Sequence, residues 1–276
     1  MKRMDKLLVI CGPTATGKTV LAASIAKRFN GELVSADSRQ VYRGMDLVTG
    51  KERPNVPIWL YDVVDPDEDF SVNHWIKLAQ HAIADIVKRR KLPIIVGGTG
   101  LYIRALLDPI ETISIPPDRR LREKLSLMPV SKLQQMLKRG TMNESDWNNP
   151  RRLIRKIEIS QSAVNLQKQS NPYDYLLIGL IAPRSCLDKC INDRREKRLN
   201  QGMEREINTL FARYNRNFPS MSAISLNEHA YARRQITWFK KMPSIHWFDI
   251  SEPGYQDKVT TEIAKWYTIS EYGCKN

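Results

Sequence analysis

The chain has 276 residues, 42% of them hydrophobic and 27% charged, the composition of an ordinary globular protein with room for one or two domains. No apolar run approaches the roughly 20 residues that a membrane-spanning helix needs, and the opening Met1-Lys2-Arg3-Met4-Asp5-Lys6 lacks the pattern of a secretory leader. The net charge of +14 leaves two readings open: a partner that is a polyanion, nucleic acid above all, or a surface of solvated lysines and arginines.

In chain order, Leu7–Gly12 (LLVICG) reads as a buried strand, followed by a helix over Thr19–Phe29 with Val20, Leu21, Ile25 and Ala26 on one face. Glu32–Asp37 and Pro57–Asp62 read as further strands. Val72–Arg90 reads as a helix, with Trp75, Ile76, Ala79, Ile83, Ile86 and Val87 at helical spacing. Pro93–Gly98 (PIIVGG) is the fourth strand. Strands alternating with helices at this spacing predict a parallel sheet covered on both faces. The pattern breaks between Ile113 and Pro172. That segment is polar and basic, with helical periodicity around Leu121–Leu127, Leu133–Leu137 and Leu153–Ile159. A strand returns at Tyr175–Ala182, a long helix is expected over Cys186–Tyr214, and a short last strand at His246–Asp249. The expected architecture is an α/β core, residues 1–112 and 173–276, interrupted by a helical insertion, residues 113–172. Cys11, Cys186, Cys190 and Cys274 form neither a CxxC pair nor a zinc-spaced cluster, so a reducing, cytosolic setting is expected.

Gly12-Pro13-Thr14-Ala15-Thr16-Gly17-Lys18-Thr19 matches the phosphate-loop pattern GxxxxGK[ST] in full, and it lies between a buried strand and an amphipathic helix, where that loop belongs. Its glycines let backbone N–H groups converge on one concavity, and the helix N-terminus adds positive potential. Lys18 supplies a mobile charge for phosphate oxygens, and the Thr19 hydroxyl can ligate Mg²⁺. Nucleotide hydrolases add a strand that ends in a metal-supporting Asp. Here the best later strand ends Val96-Gly97-Gly98-Thr99, without a carboxylate, and the acidic strand end is Ala36-Asp37-Ser38. Three roles are open to Asp37 on this pattern: metal support, general base, or cap of a turn.

Five segments together resemble one family. GPTATGKT, SADSRQVYRGMDLVTGK (Ser35–Lys51), PIIVGGTGLYIRALL (Pro93–Leu107), NPRRLIRKIEI (Asn149–Ile159) and RRQITWFKK (Arg233–Lys241) look like the tRNA dimethylallyltransferases in order and spacing. The resemblance implies a P-loop NTPase-like core and transfer of the dimethylallyl group of dimethylallyl diphosphate to the adenine 3′ of a tRNA anticodon. The loop Gly12–Thr19 would hold the diphosphate, with Mg²⁺ on Thr19. Lys18, Thr99 and Arg122 match residues beside the reacting groups, and Asp37 matches the acceptor for the adenine amine. Asp37, Ser38, Arg39 and Gln40 match one tRNA-contacting stretch; Arg151, Arg152, Leu153, Ile154 and Arg155 match a second, gripping the anticodon arm. A monomer in the cytoplasm is expected. The composition of the insertion agrees: Arg119, Arg120, Arg122, Lys124, Lys132, Lys138, Arg139 and Lys156 also cluster there. Trp75, Tyr102 and Trp147 are candidates for stacking on bases, although the spacing of Trp75 among aliphatics favours a core position.

The chain departs from the family pattern in three places. Lys138–Asn143 passes quickly to Asn148-Asn149-Pro150, so the insertion is short. After Met221–Ile224 the expected glycine-tyrosine segment and helix are replaced by the bridge Ser225–His229. A histidine pair before Asp62 is replaced by Ile58–Tyr61. A compact variant or a paralogue with altered substrate choice is left open. So are a free-adenylate isopentenyltransferase, a small-molecule kinase and a non-catalytic RNA-binding paralogue.

Overall fold

The structure is a computed structural model, and it describes residues 4–162, 171–214, 218, 220–221, 224 and 227–272. It divides into two compact units, Met1–Asp108 with Asn171–Asn276, and Pro109–Ser170.

The first unit is built on strands β1 (Asp5–Cys11), β2 (Gly31–Ser35), β3 (Ile58–Trp59), β4 (Leu92–Gly97), β5 (Tyr173–Ile181) and β6 (Ile245–Asp249). All pair in parallel, in the order β3-β2-β4-β1-β5-β6. The alternation of β1 explains its double burial. Leu7, Val9 and Cys11 face one core with Trp75, Ile83 and Phe239, whereas Leu8 and Ile10 face the other with Leu21, Ile25 and Val259. Helix α1 (Lys18–Arg28) covers the second of these faces; α2 (Asp46–Thr49) is a single turn, and α3 (Val72–Lys88) and α4 (Gly100–Leu107) cover the first. The chain steps from β1 outward past β4's position to β2, returns to insert β4, and then continues to β5 on the far side of β1. That reversal makes the C-terminal ends of β1 and β4 a topological switch point, where open α/β sheets bind ligands.

The second unit is helical: α5 (Arg119–Ser126), α6 (Val130–Gln135), α7 (Glu144–Trp147) and α8 (Pro150–Gln161) follow a 3₁₀ turn at Glu111–Ser114. Leu125, Leu133, Leu153 and Ile157 form its core. Asn149 caps α8 by accepting from the Arg152 amide, and Pro150 stands in the first turn, the arrangement that starts a helix sharply.

The chain then returns to the first unit through α9 (Arg184–Asn200), α10 (Met203–Tyr214), α11 (Glu228–Phe239) and α12 (Tyr255–Tyr272). Two expectations are corrected. The helix expected over 186–214 is two helices, broken at Gln201-Gly202, where Gly202 takes φ 99° in the left-handed region. The strand expected over Pro57–Asp62 is only Ile58–Trp59, because Leu60 and Asp62 adopt positive φ and Asp62 is drawn into ion pairs with Lys51 and Arg53. Gly100–Leu107, whose apolar residues lack an obvious polar face, is a helix buried on most of its surface. Of the bridge at Ser225–His229, Ser225 and Leu226 lie outside the described residues, while Asn227 caps α11 by accepting from the Ala230 amide and Glu228 and His229 stand in its first turn.

Candidate active site

The phosphate loop folds as its residues require. Gly12 has φ 141°, and a Cβ there would stand 2.3 Å from the Leu180 carbonyl oxygen of the neighbouring strand, so only glycine fits. Gly17 takes φ 71° immediately before α1 and offers no side-chain cap; the first turn of α1 contains no acid. The N–H groups at this helix start are therefore left for an anion. The buried Thr16 hydroxyl donates to the Pro13 carbonyl at 2.9 Å and holds the loop in shape. Lys18 Nζ donates to the same carbonyl at 2.5 Å. Burial, and then the nearby Arg194, lower its pKa to about 8. An anion placed in the loop reverses that trend by favouring the charged ammonium.

The ends of β2 and β4 stand beside this loop. Thr99, two residues past the end of β4, accepts a hydrogen bond from the Ser38 amide at 2.9 Å through Oγ1, while its own amide donates to Ala36 O at 3.0 Å. Thr99 thus fixes the turn that carries Asp37. Asp37 Oδ1 accepts from the Arg39 amide at 2.9 Å, a local turn that orients the carboxylate. Below it, the Trp75 indole donates to Ser35 O at 2.8 Å. Gln40 is held from both sides, with Ser35 Oγ donating to Oε1 at 3.2 Å and Nε2 donating to Gly50 O at 3.3 Å.

Helices α9 and α11 close the pocket with residues that no motif had assigned. Gln235 of α11 is buried; it accepts from the Thr14 amide at 2.8 Å and donates to Gly98 O at 2.9 Å, tying the phosphate loop to the end of β4. Tyr231, one turn earlier, is hydrogen-bonded to Thr99 and carries the Arg39 guanidinium over its ring at 4.0 Å. Burial first, then the Asp37 charge, push its phenol up to about 12, so it is neutral and able to donate at physiological pH. Arg194 of α9 donates to the Thr14 hydroxyl at 2.8 Å and to Gly50 O at 2.7 Å. Gln235 lay inside the RRQITWFKK segment, so a motif pointed to its neighbourhood. Arg194 lay in an evenly charged helix with nothing in the pattern to single it out. One pocket is lined by Thr14, Ala15, Gly17, Lys18, Thr19, Asp37, Arg39, Gln40, Gly98, Arg194, Tyr231 and Gln235, so these sequence-predicted residues converge with the newly found ones.

Two candidates for base stacking are excluded. Trp75 and Tyr102 are buried and stack on each other, with centroids 4.7 Å apart and planes at 20°, so each ring already has an aromatic partner in the core. Trp147 packs on the core of the second unit.

The remaining candidates lie in the second unit. Glu158 is buried. Arg122 donates to it through Nε at 2.6 Å and Nη2 at 2.8 Å, and Arg155 through Nη1 at 3.2 Å. Arg155 also donates to Thr112 O at 2.7 Å and Ile115 O at 2.9 Å. Leu153 is fully buried, so its side chain anchors α8. Ile154 is half-buried against the same core. Arg151 and Arg152 are exposed, and Arg152 pairs with Asp146 at 3.0 Å.

A family model described as IPP transferase matches residues 40–230. A curated tRNA dimethylallyltransferase from Bacillus cytotoxicus is 36% identical, covering 96% of this chain and 95% of the relative. Their alignment runs over 305 positions, more than the 276 residues of this chain, so stretches of the relative have no counterpart here. Among solved structures, a full-length tRNA isopentenylpyrophosphate transferase from Bacillus halodurans is 31% identical with a TM-score of 0.71, covering 97% of this chain and 100% of the other. A eukaryotic dimethylallyltransferase acting on tRNA, at 24% identity and a TM-score of 0.78, covers 99% of this chain and 81% of its own and shares the fold. With relatives this similar along nearly its whole length, the chain belongs to the tRNA dimethylallyltransferase (IPP transferase) family.

Proposed function

We propose that this protein transfers the dimethylallyl group of dimethylallyl diphosphate to the exocyclic amine of the adenine 3′ of the anticodon in tRNA. The observation that carries this reading is the placement of an anion cradle, Gly12–Thr19, beside a strand-end carboxylate, Asp37, while β4 ends at Gly97 and leads into Gly98-Thr99 without one. Phosphoryl transfer would want that missing carboxylate on the metal. Alkyl transfer needs a held leaving group and a proton acceptor.

In this chemistry the bond from C1 of the dimethylallyl group to the diphosphate oxygen breaks, the bond from C1 to the adenine nitrogen forms, and one amine proton leaves. The loop amides and Lys18 take up the charge that develops on the diphosphate. Asp37 is the proton acceptor in this reading. Its Oδ1 is occupied by the Arg39 amide, and among the described residues Oδ2 has no hydrogen-bond partner. Thr99 holds the turn that aims it. The neutral Tyr231, bonded to Thr99, supplies a donor on the same wall.

Mg²⁺ fits the residues present. The Thr19 hydroxyl lines the pocket, and so does Glu52, whose Oε2 is buried without a hydrogen-bond partner. Among the described residues no three metal-ligating side chains cluster, as befits an ion held largely by substrate oxygens and water. The metal, when bound, adds positive charge at the leaving group.

The acceptor side of the proposal rests on the second unit, whose exposed Arg151 and Arg152 suit phosphate contacts to an anticodon arm. The target adenine would have to be unstacked to reach Asp37, at a cost of a few kcal/mol. Incubation with dimethylallyl diphosphate labelled in the alkyl group, in the presence of tRNA or of AMP, tests the reading. Label in tRNA at the adenine 3′ of the anticodon is expected; label in AMP alone would replace it with the adenylate reaction.

A further inference from the structure

The bridge Ser225–His229, where the chain departs from the family pattern, ends in residues that reach the pocket. Glu228 opens α11 and lines the pocket together with Arg198 of α9. Arg198 is buried, and its guanidinium joins two other elements. Nη2 donates to Glu228, while Nη1 donates to Leu47 O at 3.0 Å and Val48 O at 3.1 Å, both in α2. His229 fastens the same turn of α11 to α9, with Nδ1 2.8 Å from Asp188 Oδ1 and Nε2 2.9 Å from Asn192 Oδ1. Helix α2 has only four residues, and its N-cap Met45 offers no side-chain cap, so its own backbone bonds are too few to hold it. Outside side chains do so instead. Glu206 of α10 accepts from the Leu47 and Val48 amides at 2.9 Å each, and Arg198 takes the carbonyls. Val48 and Thr49 line the pocket, and Gly50, which ends α2 with φ 63°, offers its carbonyl to Gln40 at 3.3 Å. This wall of the pocket is thus placed from α9 and α10, and Glu228 ties the placement to the helix that carries Tyr231 and Gln235.

We propose that the Arg198–Glu228 pair positions the pocket for its substrate, fixing the α2 wall against α11 and acting through that wall. This rests on the diphosphate reading above and adds to it a pair outside every motif, one of whose members comes from the bridge. A buried ion pair contributes little net stability, because desolvation offsets most of the attraction. What this pair supplies is geometry. The planar fork of Arg198 must meet one carboxylate and two carbonyls together, which fixes where α2 stands when α11 is in place. A residue that acts this way is separable from one that only stabilises, since stability can be returned without returning the geometry.

Calorimetric titration of the full chain with inorganic pyrophosphate and MgCl₂, with melting temperatures measured alongside, tests this in Arg198→Met, Glu228→Gln and the double variant. R198M strands the Glu228 carboxylate without its counter-charge. The double variant removes both charges but still releases the Leu47 and Val48 carbonyls from the guanidinium. The melting temperature is therefore expected to fall in R198M and to recover most of that loss in the double variant. Pyrophosphate binding is expected to stay about tenfold weaker than the parent's in both, with a smaller loss in E228Q, which keeps an acceptor for Arg198. Binding by the double variant within about twofold of the parent would overturn the positioning role and leave the diphosphate site standing. So would affinity that follows melting temperature through all three variants, since a purely structural pair behaves that way. A parent protein that binds no pyrophosphate would overturn the diphosphate reading itself, and this role with it.

Discussion

The two units use arginine in opposite ways. In the second unit, Arg122 and Arg155 converge on the buried Glu158, and their charge is spent on holding helices together. In the first unit, Lys18 and Arg194 stand over the phosphate loop with only neutral oxygens as hydrogen-bond partners. A guanidinium already matched to a carboxylate has little left for a ligand, whereas one lodged among carbonyls and hydroxyls is prepared for an anion. By this criterion the arginine row of the insertion separates. Arg122 and Arg155, expected beside the chemistry or on tRNA, carry structural bonds, and Arg151 and Arg152 keep their exposure.

Asp37→Ala should give the largest effect and breaks the chemical half of the comparison. Turnover in a single-turnover assay is expected to fall about 10²–10⁴-fold, with the Kd for tRNA changed only a few-fold. Equal losses in both would make Asp37 a binding residue. Glu158→Ala tests the structural half. It leaves two guanidinium groups without their carboxylate, so the second unit should lose about 3 kcal/mol in urea unfolding while pyrophosphate binding in the first unit is retained. An unchanged unfolding curve would show that Arg122 and Arg155 are not structural pairs.

Acid sharpens the contrast further. Hydrogen bonds from Arg89, outweighing burial, lower the Glu32 carboxyl to about 2 from its ordinary value of 4.5. For Glu158 burial raises the carboxyl, but hydrogen bonds from Arg122 and Arg155 outweigh it and the net direction is down. A carboxyl whose folded pKa lies below its unfolded one stabilises the fold above the unfolded value. For Glu32 that stabilisation should be lost as pH falls from 4.5 towards about 2. Glu32→Gln should therefore flatten the acid limb of stability between those pH values, measured by urea titration at each pH. A limb as steep as the parent's would assign the acid sensitivity elsewhere. Arg152→Ala should have the smallest effect. Its pair with Asp146 is exposed, so stability should barely change, while tRNA affinity falls up to about tenfold and the salt slope loses about one unit. An unchanged salt slope would remove Arg152 from the RNA-contacting surface.

Local sequence made the α/β core legible. Runs such as LLVIC and PIIVG are apolar at every position because both faces of a parallel sheet are covered, and the phosphate loop is a contiguous pattern whose glycines answer to local backbone geometry. The division of the expected long helix escaped the reading because the residues on either side of Gly202 continue a helical pattern and only its backbone shows the break. Tyr102 looked like a stacking platform because pattern does not tell which side of a short apolar helix is covered; its partner, Trp75, comes from a helix further back in the chain.

What the sequence determined by itself was the class of fold, the phosphate loop, and the family, through segments whose chemistry is local. What only the tertiary structure decided was which charges remain available. Gln235 bridges residues 14 and 98, Arg194 reaches residues 14 and 50, and Glu158 absorbs residues 122 and 155. Whether an arginine is a ligand or a strut depends on which carboxylate stands within a few ångströms of it, and in this chain the helices that settle the question return from far along the sequence.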